Sequence, residues 1–174
     1  MILNQDIVGE GVRLSVFLEH DVSEKYLGWL ADNSINKYLE VRFKEYSASD
    51  AREYIASCIR SSNIYFLKIE SNTEGFIGTC TIYHNNNHKT AEIGLMIGES
   101  SLHGRGYGSK VIGLLKTFCC HELGVRKVTA GLYASNEGSK KAFLQNGFSI
   151  ECSLTGQVIL ADEPEDIIRL AYFC

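Results

Sequence analysis

The chain of 174 residues has a single proline, Pro164, and no stretch of low complexity, so nothing in it reads as a linker between domains. No segment repeats another, which sets solenoids and propellers aside. No apolar run approaches the roughly 20 residues that cross a bilayer. Residues Met1 to Glu10 lack the basic and apolar regions of a signal peptide, so the expectation is a cytoplasmic protein without a membrane partner. No long basic run is present and the net charge is −4, which argues against nucleic acid while leaving room for a local basic spot. The cysteines, Cys58, Cys80, Cys119, Cys120, Cys152 and Cys174, include no Cys-x-x-Cys pair. No metal is expected, and the thiols are expected to be reduced and mostly in the core.

What is present fits one globular domain over residues 1–174, with 45% hydrophobic and 22% charged residues. Val12, Leu14, Val16 and Leu18 alternate as in a strand. Asp21-Val-Ser-Glu24 resembles a helix start, with Val22, Tyr26, Leu27 and Leu30 on its apolar face. A short helix over Asn33 to Leu39 and another starting within Ser47 to Asp50 follow. Ile64 to Ile69, Phe76 to Tyr83 and Thr90 to Ile97 are strand-like runs with short turns between them, an antiparallel meander. A glycine-rich segment precedes a helix from Ser109. Arg126 to Tyr133 is a strand, Glu137 to Asn146 a helix stopped by Gly147, and Phe148 to Ser153 and Ile167 to Phe173 closing strands. The order β-α-α-α-β-β-β-α-β-α-β-β is a mixed α/β (α+β) arrangement.

Residues 103–108 read His-Gly-Arg-Gly-Tyr-Gly, and Gly104, Gly106 and Gly108 let the backbone turn sharply and approach a ligand. A helix starting there aims free N–H groups and its positive dipole end into the loop, which suits a pyrophosphate. A dinucleotide fold places its glycines directly after an early strand, whereas these come late and after a meander. The spacing of a P-loop is absent. A coenzyme A loop and a structural turn stay open. Residues 133–148 hold a second motif, in which Asn136 begins a helix that ends at Gly147-Phe148.

Together the two motifs resemble the GNAT superfamily of acetyl-CoA-dependent N-acetyltransferases. His103-Gly-Arg-Gly106-Tyr-Gly108 is similar to that family's pyrophosphate loop, with histidine where the family carries glutamine or arginine. Asn136-Glu-Gly-Ser139 followed by Gly147-Phe148 matches its second motif. Ala-Glu-Ile-Gly at 91–94 looks like the branch with the ribosomal-protein alanine N-acetyltransferases. The resemblance implies a mostly antiparallel central sheet with a splayed central strand and flanking helices. It implies acetyl-CoA as cofactor, with backbone groups of Met96 and Ile97 on the pantetheine. The pyrophosphate falls to N–H groups from Arg105 to Ser109 in the loop of His103, Gly104, Arg105, Gly106, Tyr107, Gly108 and Ser109. Asn136 and Ser139 fall near the thioester, and Arg105, Lys140 and Lys141 are candidates for outer phosphates, with a plain surface lysine the rival reading for Lys141. Many such enzymes pair as homodimers through their closing strands.

Direct transfer from a thioester requires a neutral amine, a donor for the oxyanion and a proton for the leaving thiolate. Glu92 is the first candidate base and His84 a weaker one; a backbone N–H near Ile97 is the expected oxyanion donor. Many family members carry a tyrosine four residues beyond the serine, where this chain has Phe143, so Ser139 or water is left as the acid. The acceptor is a primary amine: a nucleotide-linked aminosugar, or a peptide N-terminus or small amine. The segment from Tyr26 to Arg42 looks like the helix pair of enzymes acting on nucleotide-linked sugars. There Trp29 and Tyr38 either stack on a ring or pack the two helices, and Arg42 and Lys44 form the basic spot such a substrate needs. The alternative is a non-catalytic coenzyme A-binding or acyl-CoA-sensing module.

Overall fold

The structure, a computed structural model, describes residues 3, 5–9 and 11–174. Its frame is an eight-stranded sheet. β1 (Ile7–Gly9) and β2 (Val12–Val16) form one edge, followed by the meander β3 (Ile64–Ser71), β4 (Gly75–Asn85) and β5 (Thr90–Ile97). β6 (Lys127–Tyr133), β7 (Ser149–Leu160) and β8 (Glu163–Phe173) complete it in the order β1-β2-β3-β4-β5-β6-β8-β7. Every pairing is antiparallel except β5 with β6.

Alternation along the strands sends successive side chains to opposite faces, and each face has its own core. Leu67, Ile69, Ile82, Ile93 and Val128 face α4 (Tyr107–His121) and α5 (Glu137–Gln145). Val111, Ile112, Leu115 and Cys119 recur at helical spacing on α4 and are all buried there. Phe66, Phe76 and Met96 turn the other way, toward α1 (Glu24–Ala31), α2 (Asn33–Asn36) and α3 (Ala48–Arg60). Each fully buried Ile or Leu contributes about 1.5–3 kcal/mol.

The structure corrects several expectations. Asp21 does not cap α1: it accepts the Leu18 N–H at 2.8 Å and pairs with Lys68, while Ser23 caps the helix by accepting the Tyr26 N–H. Helix α2 ends at Asn36, and a 3-10 turn at Glu40–Phe43 follows. Helix α4 begins at Tyr107, two residues before Ser109. β1 is an additional short strand. The closing strands are one long hairpin, turned by Ala161 and Asp162, both at positive φ. β7 is exposed along most of its length and lacks the alternation that would announce it. The cysteines are not all reduced. Cys120 and Cys174 form a disulfide with Cα atoms 5.5 Å apart, because β8 returns past the end of α4, where the Cys174 N–H bonds Arg126 O at 3.1 Å. Cys58, Cys80 and Cys119 are buried and Cys152 is exposed.

Candidate active site

β5 and β6 pair only at Thr90↔Lys127, Ala91↔Val128 and Glu92↔Thr129. Beyond Glu92 each follows its outer neighbour: β5 stays with β4 to Gly78↔Ile97, and β6 stays with β8 to Tyr133↔Ile167. The two strands part in a V, and the inner edge of β5 from Ile93 to Ile97 is left without a strand partner.

The glycine loop lies at the end of that open edge. Gly104 and Gly106 have φ of +74° and +85°, and a Cβ at either would point into open space. Positive φ is costly for other residues, and the open space leaves room for a ligand against the backbone. Among the five α-helices of the described residues α4 alone begins without a side-chain cap: Ser23, Asp32, Ser47 and Asn136 cap the others, whereas Gly106 offers none. The first N–H groups of α4, those of Tyr107, Gly108 and Ser109, have no intrahelical acceptor and face the loop. Together with the dipole of a 15-residue helix they make an anion cradle.

Several expected contacts are already engaged. The Arg105 N–H donates to Leu102 O at 3.2 Å, so it closes a turn rather than joining the cradle. The His103 ring is bonded through Nε2 to Ile97 O at 2.7 Å and ties the loop to the end of β5. The Tyr107 ring turns back to Ser71, with its hydroxyl 3.2 Å from Ser71 Oγ. Ser109 O and Oγ both accept from Asn146 Nδ2, at 3.0 and 2.9 Å, which locks the start of α4 to the end of α5.

At the start of α5, Asn136 Oδ1 accepts the Ser139 N–H at 3.2 Å, so Asn136 is a helix cap. Ser139 is half-buried in that first turn. Lys140 pairs with Glu137 at 2.6 Å, and Lys141 is exposed. Phe143 is 3% exposed and packs edge-on against Phe148, with centroids 5.0 Å apart, so the core fills the position where a phenol would stand.

A cleft of ≈ 400 Å³ opens on the α1–α3 face, and its floor includes Gly94, Leu95 and Met96 at the end of β5. The open-edged strand β5 and this cleft therefore share backbone. Tyr26, Tyr46, Tyr54 and Tyr83 give its walls an aromatic lining. Burial and its contact with Tyr83 push the Tyr54 phenol up, so it stays neutral. Glu92 stands on the same face, opposite Tyr83. Arg169 Nη1 and Nη2 donate to its Oε1 and Oε2 at 3.0 and 2.9 Å, which raises the pKa of Arg169. The guanidinium reaches Glu92 by crossing Gly131 on β6, where a Cβ would sit 2.5 Å from Nη1. Sequence reasoning missed Arg169: its one trace is a glycine opposite an arginine, and strand register is needed to read that. His84 shares the face of Ile82, toward α4, and so points away from the cleft.

Trp29 is buried and packs against Gly98 and Phe76. The Tyr38 hydroxyl donates to Ser135 O at 3.3 Å, and its ring meets Tyr133. The expected basic spot is not formed. Arg42 donates to Leu39 O, the Tyr133 hydroxyl and Ile159 O, and Lys44 pairs with Asp50. Another hollow, of ≈ 490 Å³ between β1 and the C-terminal half of α4, brings together none of these residues. Among the described residues no group of three His, Cys, Asp or Glu is placed to hold a metal ion, and no helix is long and apolar enough to cross a membrane.

Residues 12–149 match the family model described as an acetyltransferase (GNAT) domain. No curated protein matches the chain by sequence. Among solved structures, the spermidine N-acetyltransferase of Vibrio cholerae, in complex with CoA and spermine, superposes with a TM-score of 0.84 at 17% identity, over 95% of this chain and 96% of that one. The ribosomal L7/L12 alpha-N-protein acetyltransferase RimL, in complex with coenzyme A, gives 0.84 at 18%, over 97% and 98%. A GNAT-family acetyltransferase from Bacillus anthracis gives 0.82 at 16%, over 97% and 98%.

Proposed function

The chain belongs to the GNAT family of acetyltransferases, enzymes that use acetyl-CoA, and from that premise we propose direct acetyl transfer to a primary amine held in the cleft beside β5. The observation that carries this reading is the uncapped start of α4 behind a glycine loop, at the open edge of the strand that floors the cleft. The residues fit the cofactor. The N–H groups of Gly106, Tyr107, Gly108 and Ser109 receive the pyrophosphate, with Gly104 leaving room and His103 fixing the loop. The open edge at Met96 and Ile97 receives the pantetheine. Asn136 and Ser139 lie at its thioester end, and Arg105 and Lys140 are the cations for outer phosphates, Lys140 by leaving Glu137. Bound there, acetyl-CoA supplies an activated acyl group.

The protein's own part is orientation and proton movement. Glu92 takes the amine proton through water on the lone pairs that Arg169 leaves free. A backbone N–H at the end of β5 stabilises the oxyanion, and the Ser139 hydroxyl or water returns a proton to the thiolate. A peptide N-terminus or small amine is favoured over a nucleotide-linked sugar, because Arg42 and Lys44 are internally bonded and, among the described residues, no cation lines the cleft. The spermidine and ribosomal-protein enzymes both act on amines, which is in keeping with this preference. Two copies pair through the edge strand β7, where Ile150, Leu154 and Ile159 are exposed; light scattering at a dimer's mass is the expected result. The reading is tested by a mass-spectrometric screen of amines with acetyl-CoA. Peptide N-termini or small amines are expected to gain an acetyl group, and acetylation confined to aminosugar nucleotides would reverse the preference.

A further inference from the structure

Among the described residues lining the cleft, one side chain is charged, that of Glu40. The other carboxylates near the site are occupied: Glu92 by the guanidinium of Arg169, and Glu165 by the Ser135 N–H at 2.7 Å. Glu40 forms no salt bridge among the described residues, yet it is held in place. The Tyr133 hydroxyl donates to its Oε1 at 2.8 Å, and Arg42 Nη2 donates to the same hydroxyl at 2.8 Å and to Ile159 O at 2.8 Å. Tyr133 is 4% exposed and its ring lies tilted against that of Tyr38, so the end of β6 fixes the tyrosine and the tyrosine fixes the glutamate. Tyr133 is the donor in this bond, since burial and the neighbouring carboxylate raise its pKa and keep the phenol protonated. The result is an anchored, exposed carboxylate at the rim of a cleft that is otherwise aromatic, aliphatic and neutral. Such a surface disfavours an anion and rewards a cation twice, by charge at Glu40 and by the aromatic faces.

We propose that Glu40 is a specificity-determining residue that reads a second positive charge on the acceptor, apart from the nitrogen that is acetylated, and that Tyr133 and Arg42 are its positioning residues. The substrate class is then a diamine or a peptide whose N-terminal region carries a basic group. The proposal rests on the cleft being the acceptor site. Carboxylate and cation meet at an exposed rim, so the effect is moderate, about tenfold in apparent affinity.

The test compares cadaverine with hexylamine, which match in length but differ in the distal charge. Wild-type protein is expected to show a KM for cadaverine about tenfold lower. Glu40→Gln, which keeps shape and removes charge, is expected to erase that advantage by raising the cadaverine KM with kcat unchanged, and to leave hexylamine untouched. Tyr133→Phe is expected to raise the cadaverine KM by a smaller factor, again at constant kcat. Equal treatment of the two amines by the wild type, or an equal effect of Glu40→Gln on both, overturns the proposal. Calorimetric titration of both amines into the CoA-loaded protein separates the two readings. Selective binding of cadaverine without acetylation of any amine upholds charge reading and refutes transfer; acetylation of both without selectivity upholds transfer and refutes Glu40. Binding of neither amine overturns the proposal.

Discussion

Helices α4 and α5 both begin at the parted strands, yet α5 caps itself with Asn136 while α4 begins on a bare glycine. A cap at Asn136 satisfies a donor internally and is worth about 1 kcal/mol. The missing cap at Gly106 leaves the first N–H groups of α4 open to solvent, and on the proposed function to the cofactor. The same contrast separates the two halves of the proposed site. The donor half is made of backbone, in a loop and a helix start that are continuous in sequence. The acceptor half is made of side chains from distant elements, with Glu40 held by Tyr133 and Glu92 by Arg169. A backbone site tolerates side-chain change and breaks when the backbone path is blocked; a side-chain site does the reverse.

The largest expected effect tests the backbone half. Gly106→Glu forces a side chain onto a φ of +85° and adds a negative charge at the cradle, so CoA affinity should fall by about 100-fold or more. Titration calorimetry reads this, and an affinity within twofold of wild type removes the loop as the cradle. Glu92→Gln should lower kcat by about 100-fold and leave CoA affinity intact, which single-turnover kinetics and calorimetry resolve; full activity removes Glu92 as the base. Cys174→Ser opens a link between residues 54 apart and should cost about 2–4 kcal/mol in urea unfolding, without weakening CoA binding. Unchanged stability means that the link does not tie the chain in solution. Phe143→Tyr places a hydroxyl inside the Phe148 core and should cost about 1–3 kcal/mol with no gain in kcat. A gain would show that the site lacks a phenol acid.

Legibility follows the same division. The meander and β5, at Thr90–Ile97, could be read because a half-buried strand writes its alternation locally. So could the glycine loop and the Asn136 cap, because both are sequence-local geometries. The outer parts of the β7–β8 hairpin could be read as closing strands; its inner half and turn could not, since β7 has no buried face and the turn uses Ala161 and Asp162 rather than glycine or asparagine. Arg169 and Glu40 could not either. Each acquires its role from a partner more than 70 residues away along the chain, Arg169 from Glu92 and Glu40 from Tyr133. The Cys120–Cys174 pair was hidden for the same reason, as its spacing is meaningless until β8 is placed beside α4.

Acetyl transfer is measured most directly as release of free thiol from acetyl-CoA by the purified protein with a panel of primary amines. Amine-dependent thiol release is expected, together with an acetylated amine in the mass spectrum. Tight CoA binding with no thiol release above background for any amine would contradict it and leave a coenzyme A-binding module.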